Sequence, residues 1–188
     1  MNRQSNDRRI RKTKNELRNA LTNLLLEKDI KEITVKELAS LADLNRGTFY
    51  LHYRDIYDLY NQIQDEIYEE LRLIFEKHLK TNRRAGLPLV VAEAFEFISK
   101  NKELCMVVLN SEDSNLLSGI IELGKPKTKE EWQSLLGDVS PELHEYYYTF
   151  ITSGCVGLLR SWFTGGMEEP PAKMAELAGK MIDSLYNP

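Results

Sequence analysis

The residues best suited to do chemistry in this 188-residue chain lie together in "RGTFYLHYR", Arg46 to Arg54. Arg46 carries a planar fork of donors that matches a pair of acceptors on one edge, as guanine presents with O6 and N7. Thr48 offers a hydroxyl to a base or a phosphate, Tyr50 and His52 offer donors to phosphate oxygens, and Leu51 offers an apolar group of the size that meets a thymine methyl. This is the chemistry of recognition, with no bond to break. Elsewhere the chain shows no phosphate-cradling glycine loop, nucleophile motif or paired acid and base, so it is not expected to be an enzyme. His52, His78 and His144 are scattered, and Cys105 and Cys155 stand far apart without a CxxC. No metal, disulfide or cofactor is therefore expected.

Such side chains are useful only if two short helices hold them. Thr34-Val-Lys-Glu37 has the capping-box form, and Val35, Leu38, Ala39 and Ala42 follow at helical spacing. Asp43-Leu44-Asn45 interrupts, and Asn45 is a good N-cap for the next helix. Stepping ~100° per residue from Arg46 turns Phe49 and Tyr53 inward together. Gly47, Thr48 and Leu51 then face outward, with Arg46, Tyr50 and His52 on their flanks. Gly47 costs about 1 kcal/mol relative to Ala inside a helix, which is tolerable where a backbone must approach a ligand closely. The start of this helix is itself a ready anion site. Two short helices joined across "ADLN" have the form of a helix-turn-helix, whose second helix enters the DNA major groove.

Charge supports the same end of the chain. Residues 1–54 hold 12 Lys+Arg against 7 Asp+Glu, or +5, whereas the remainder holds 13 against 22, or −9. A basic quarter joined to an acidic remainder points to a polyanion at one end only. No secretory leader pattern and no apolar run of about 18 residues is present, so the cytoplasm is the expected compartment and no membrane partner is expected.

"ITVKELASLADLNRGTFYLHYRDIYDL" resembles the DNA-binding segment of the TetR/AcrR family of transcriptional regulators, above all in "GTFYLHY" and the preceding "TVKELA". The resemblance covers about residues 10–60. It implies an all-α homodimer: an N-terminal three-helix DNA-binding domain, then a larger helical domain that dimerises through its last two helices and encloses an effector pocket. On this resemblance Thr34 and Lys36 contact phosphates, and Arg46, Gly47, Thr48, Tyr50, Leu51 and His52 form the recognition surface. Two positions depart from the family pattern. Asp43 stands where the turn usually has Gly, and Ile56 stands where a Lys commonly contacts phosphate. Arg54, or the arm of Arg8, Arg9, Arg11 and Lys12, is the available replacement.

Beyond this segment only helical periodicity guides the reading. A first helix of about 20 residues carries Ile10, Leu17, Leu21, Leu24 and Leu25. A fourth runs over "DIYDLYNQIQDEIYEELRLIFEKHL", Asp55 to Leu79, with Ile56 through Phe75 lining one side, another from Leu87 to Lys100, and a further piece from Leu104 to Leu109. A weaker helix is expected over 114–123, and a short one around Trp132 within a loop. Helices over 141–163 and from Pro170 or Pro171 to Tyr186 close the chain. The expected domains are residues 1–54 and 55–188.

On the closing helices, apolar residues cover too much of the girth for one core, so Leu158, Trp162, Leu177 and Met181 are assigned to a homodimer interface. A monomeric bundle burying both stripes is the alternative. Phe95, Met106, Trp132, Tyr147 and Phe150 are the candidates for contact with a small-molecule effector, with plain core packing as the rival for each. The function expected is sequence-specific binding of a double-stranded, pseudo-palindromic operator, in the manner of a repressor. An activator or adaptor governed by a protein partner is the alternative.

Overall fold

The structure is a computed structural model that describes residues 3–80, 82–110 and 116–186. Among these residues it is all-helical: α1 (Arg3–Glu27), α2 (Val35–Leu41), α3 (Arg46–Tyr50), α4 (Ile56–Leu79), α5 (Arg83–Lys100), α6 (Lys102–Asn110), α7 (Leu116–Gly124), α8 (Lys129–Leu136), α9 (His144–Thr164) and α10 (Pro171–Tyr186). Short 3-10 turns at Ile30–Glu32 and Pro141–Leu143 lead into α2 and α9. The first two residues of the helix expected over 114–123 lie outside the described residues.

The chain divides into two compact units, residues 1–67 with 103–114, and residues 68–102 with 115–188. The division falls inside α4, not at residue 54, and α6 joins the first unit. Hydrophobic burial explains the first unit's composition. Leu17, Leu21 and Leu24 of α1, Leu38 and Ala39 of α2, Phe49 of α3, and Leu59, Ile63 and Ile67 of α4 are all buried there. Leu104, Cys105 and Val108 of α6 are buried as well, and burial pushes the Cys105 thiol up to about 12. Arg18 of α1 pairs with Glu66 of α4.

In the second unit α5 packs most extensively on α10 and also meets α8. Val90, Val91, Phe95 and Ile98 form the buried side of α5, and Met174, Ala175, Ala178 and Ile182 that of α10. The first turn of α5 crosses the end of α4 so closely that a Cβ on Gly86 would lie 2.1 Å from the His78 carbonyl oxygen. Only glycine fits there. The same junction is tied by Glu93, which accepts from Lys77 Nζ at 2.8 Å and lies 2.6 Å from His78 Nε2. Those partners, Lys77 first, hold its carboxyl below the usual carboxylate range.

Arg83, the first residue of α5, staples this unit from another side. Its guanidinium donates to the Gly124 carbonyl at 3.0 Å and pairs with Glu131 at 3.1 Å, while its backbone N–H donates to Ser134 Oγ at 3.0 Å. One residue thus binds α5 to the end of α7 and to α8. The short helix expected around Trp132 is α8, started by Thr128, whose hydroxyl accepts from the Glu131 N–H at 3.2 Å.

Candidate nucleic-acid interface

α2 begins at Thr34, whose hydroxyl accepts the Glu37 N–H at 3.2 Å. The Glu37 carboxylate takes Lys28 Nζ at 2.6 Å, which ties α2 back to the end of α1. α2 ends in a left-handed turn at Asp43, with φ of 53°. There the Asp43 N–H donates to the Ser40 carbonyl at 3.2 Å and the Leu44 N–H to the Ala39 carbonyl at 2.9 Å. These are the two bonds of a Schellman motif, a place where Gly is usual and Asp is tolerated.

Asn45 then caps α3, its Oδ1 accepting the Gly47 N–H at 2.8 Å. This corrects one expectation. An amide at the start of α3 is taken by the helix's own cap, and a five-residue helix offers too few others to make an anion site.

Below α3 the packing is aromatic. Phe49 is fully buried, with its ring 5.4 Å from Tyr50 and 5.7 Å from Tyr53. Tyr53 is buried too, with Lys14 Nζ 5.7 Å from its ring centroid, and burial raises its hydroxyl above the ordinary tyrosine value. Both residues anchor α3 from its inner side, as their spacing predicts.

The residues expected to meet DNA differ in their exposure. Arg46 and Gly47 are exposed, Tyr50 is 57% and Leu51 80% exposed, and Thr48 and His52 are half-buried. Thr34 and Lys36 are exposed on α2, and Arg8, Arg9, Arg11 and Lys12 on α1. A Cβ on Gly47 would meet only Asn45 Oδ1, at an ordinary 3.4 Å, so the protomer itself does not require this glycine. Its bareness leaves room for something outside the chain.

The first turn of α4 holds a residue that the sequence reading passed over. Asp58 Oδ2 accepts the Arg54 backbone N–H at 2.8 Å, Asp58 Oδ1 accepts from Gln62 Nε2 at 3.3 Å, and the Asp58 N–H donates to Asp55 Oδ1 at 2.8 Å. The Arg54 backbone bond is the largest of the effects that hold the Asp58 carboxyl below its ordinary value. Asp-x-x-Asp is legible as a capping box, and it was the signal available. Ile56 is buried, and the Arg54 side chain, 87% exposed, lies at this end of α4 with its Nε 3.6 Å from Asp58 Oδ2.

The residues assigned to an effector each have their own surroundings. Phe95 packs on Trp162 at 5.1 Å, Met106 belongs to the first unit, and Trp132 stacks on His144 at 4.9 Å and meets the Tyr148 ring edge-on. Tyr147 is half-buried, and Phe150 is 66% exposed on α9. A groove of about 430 Å³ lies elsewhere in the second unit, lined by Phe75 and Leu79 of α4, Lys80 just beyond it, Arg83, Leu123 and the α8 residues Glu130 and Ser134.

The assignment of Trp162 to a subunit interface also needs correction. It is 4% exposed within its own protomer, and its Nε1 donates to the Glu169 carbonyl at 2.9 Å. Leu158 does face an apolar groove of about 290 Å³ between α9 and α10, together with Phe150, Gly154, Cys155, Met181 and Leu185. Tyr146, Leu177 and Met181 are exposed on the same two helices, and a Cβ on Gly154 or Gly157 would meet nothing within 4 Å.

A capped short helix, a left-handed turn and a second capped helix resting on two buried aromatics define a helix-turn-helix protein. The family model described as "Transcriptional regulator C-terminal region" (TetR_C_8) matches residues 88–184. The chain belongs to the TetR family of transcriptional regulators.

A curated relative, the "Uncharacterized HTH-type transcriptional regulator YxbF" of Bacillus subtilis (strain 168), is 28% identical over 98 residues. That alignment takes in 50% of this chain and 26% of the relative, so the chain spans about a quarter of that relative's length. Among solved structures, the fatty acid degradation regulator FadR from Bacillus halodurans is similar with a TM-score of 0.66 and 16% identity over 90% of this chain and 94% of that one. NalD, the secondary repressor of the MexAB-OprM multidrug efflux pump in Pseudomonas aeruginosa, gives 0.67 and 17% over 93% and 95%. A TetR regulator from Streptococcus agalactiae 2603V gives 0.62 and 22% over 96% and 99%. These likenesses establish the shared fold. The neighbours are regulators of transcription, not enzymes, and no helix among the described residues is long and apolar enough to cross a membrane.

Proposed function

We propose that the chain is a cytoplasmic homodimeric repressor that binds a pseudo-palindromic DNA operator and is released from it by a small-molecule effector. The observation that carries this reading is the outward set on α3 and the turn that follows it. Donors at Arg46, Thr48, Tyr50 and His52 and the apolar Leu51 share one solvent-facing surface in the basic quarter of the chain. Arg46 forks onto a guanine edge, while Thr34, Lys36 and Arg54 hold phosphates and set the register.

Dimerisation rests on the apolar groove between α9 and α10. Its rim carries large apolar side chains left open to water, and Gly154 and Gly157 leave space for a second helix to approach closely. An isologous pairing of this face with itself covers both copies at once. A two-fold dimer then presents two α3 helices to major grooves one turn apart, about 34 Å, or a multiple of it.

The effector reading rests on the groove of about 430 Å³, within the size range of small-molecule sites. Its wall includes the last turns of α4, the same helix whose first turn fixes the exit of α3 through Asp55 and Asp58. A ligand seated there releases DNA by as much as it prefers the arrangement that cannot bind DNA. Selection of bound sequences from random duplex DNA tests the function. Enrichment of a dyad-symmetric site is expected, and a failure to enrich any sequence contradicts it.

A further inference from the structure

The recognition surface carries one group that charge and hydrogen bonding leave unexplained. Leu51 is the most exposed large apolar side chain among the described residues, at 80%. It follows directly on α3, beside the exposed Tyr50, and the turn there is held by the Tyr53 N–H donating to the Phe49 carbonyl at 3.0 Å and the His52 N–H at 2.9 Å. Phe49 and Tyr53 are buried beneath it, so the backbone that carries Leu51 is anchored while its side chain stands in water.

The surrounding surface is built to meet a polyanion, yet a leucine gains nothing from phosphate. It gains only from losing water against another apolar group. The edges of the base pairs in the major groove offer donors and acceptors throughout and a single kind of apolar group, the thymine 5-methyl. We infer that Leu51 is a specificity-determining residue that reads a thymine methyl in each half-site of the operator. Thymine is then distinguished from cytosine at that position by the methyl as well as by hydrogen bonding. Arg46, on the same surface, reads a separate base pair by its guanidinium fork. The inference rests on the DNA-binding reading above and adds to it the identity of one base.

The test uses the full chain and the duplex enriched from random DNA. Each thymine in turn is replaced by deoxyuridine, which keeps every hydrogen-bonding group and removes only the methyl. One thymine per half-site is expected to show a loss of affinity of about fourfold per half-site, the effect of withdrawing one methyl group from a buried contact. Leu51→Ala, at an exposed position that leaves the fold intact, is expected to bind the thymine duplex more weakly and to lose the distinction between thymine and deoxyuridine at that position. Leu51→Met, which keeps an apolar side chain of similar size, is expected to retain it. If no thymine shows the effect, or if Leu51→Ala still discriminates thymine from deoxyuridine, the inference is overturned while DNA binding stands. If no duplex is enriched at all, the functional reading falls and this inference with it.

Discussion

Phe150→Ala separates an intersubunit role from a role inside the protomer. Phe150 is 66% exposed on α9. A phenylalanine has roughly 200 Å² to bury, so about 130 Å² of it stands open in the isolated chain. Covering that area by a partner at about 25 cal/mol per Å² contributes about 3 kcal/mol. Isologous pairing places the residue in the interface twice, so the loss approaches about 6 kcal/mol less what the alanine Cβ retains. At ~1.4 kcal/mol per decade, the dimer dissociation constant rises by about three to four orders of magnitude. Sedimentation velocity over a dilution series reads the effect, and circular dichroism checks that the helices remain. A Phe150→Ala chain that stays dimeric at the dilutions where wild type does would refute the reasoning, and would move the interface off this face.

Substitutions at four other positions probe the fold and the reading surface. Gly86→Ala drives a Cβ into the backbone of α4, so a loss at the top of the ~1–3 kcal/mol range for overpacking is expected, lowering the melting temperature by about 6–12 °C; an unchanged melt contradicts the close crossing. Asp43→Gly relieves a left-handed aspartate and is expected to stabilise by about 0.5–1 kcal/mol, whereas Asp43→Ala destabilises, both read by thermal melting. Arg46→Ala is expected to cost about 1–3 kcal/mol on the preferred operator and relax preference at one base pair per half-site. Thr34→Ala weakens all sequences alike, with about 1 kcal/mol of lost cap visible in the melt. If Arg46→Ala weakens every duplex equally, Arg46 is a phosphate contact.

Local chemistry was legible, and long-range partnership was not. Thr34 and Asn45 announce their caps by residue type, and Phe49 and Tyr53 turn inward because four residues on a helix share a face. Trp132 sits in a capped helix because Thr128 and Glu131 have the spacing for one. Trp162 illustrates the limit. A stripe shows that a face is apolar but not whether its own protomer or a second copy covers it, and here Phe95 and Phe163 already do. The different ring partners of Phe95 and Trp132 escape the sequence for the same reason, since nothing local says which helices meet. The place of α6 in the first unit depends on contacts between segments some tens of residues apart, to which a pass along the chain is blind. Asp58 is legible in the sequence, because Asp55-Ile-Tyr-Asp58 is a capping spacing.

Hydroxyl-radical footprinting of the full chain on its selected duplex tests the central claim most directly. Two protected patches related by a dyad, about 34 Å apart on one face of the DNA or separated by a whole number of turns, are the predicted result. A single asymmetric patch, or uniform protection that disappears with modest salt and follows no sequence, would contradict the account of a dimer reading an operator through α3.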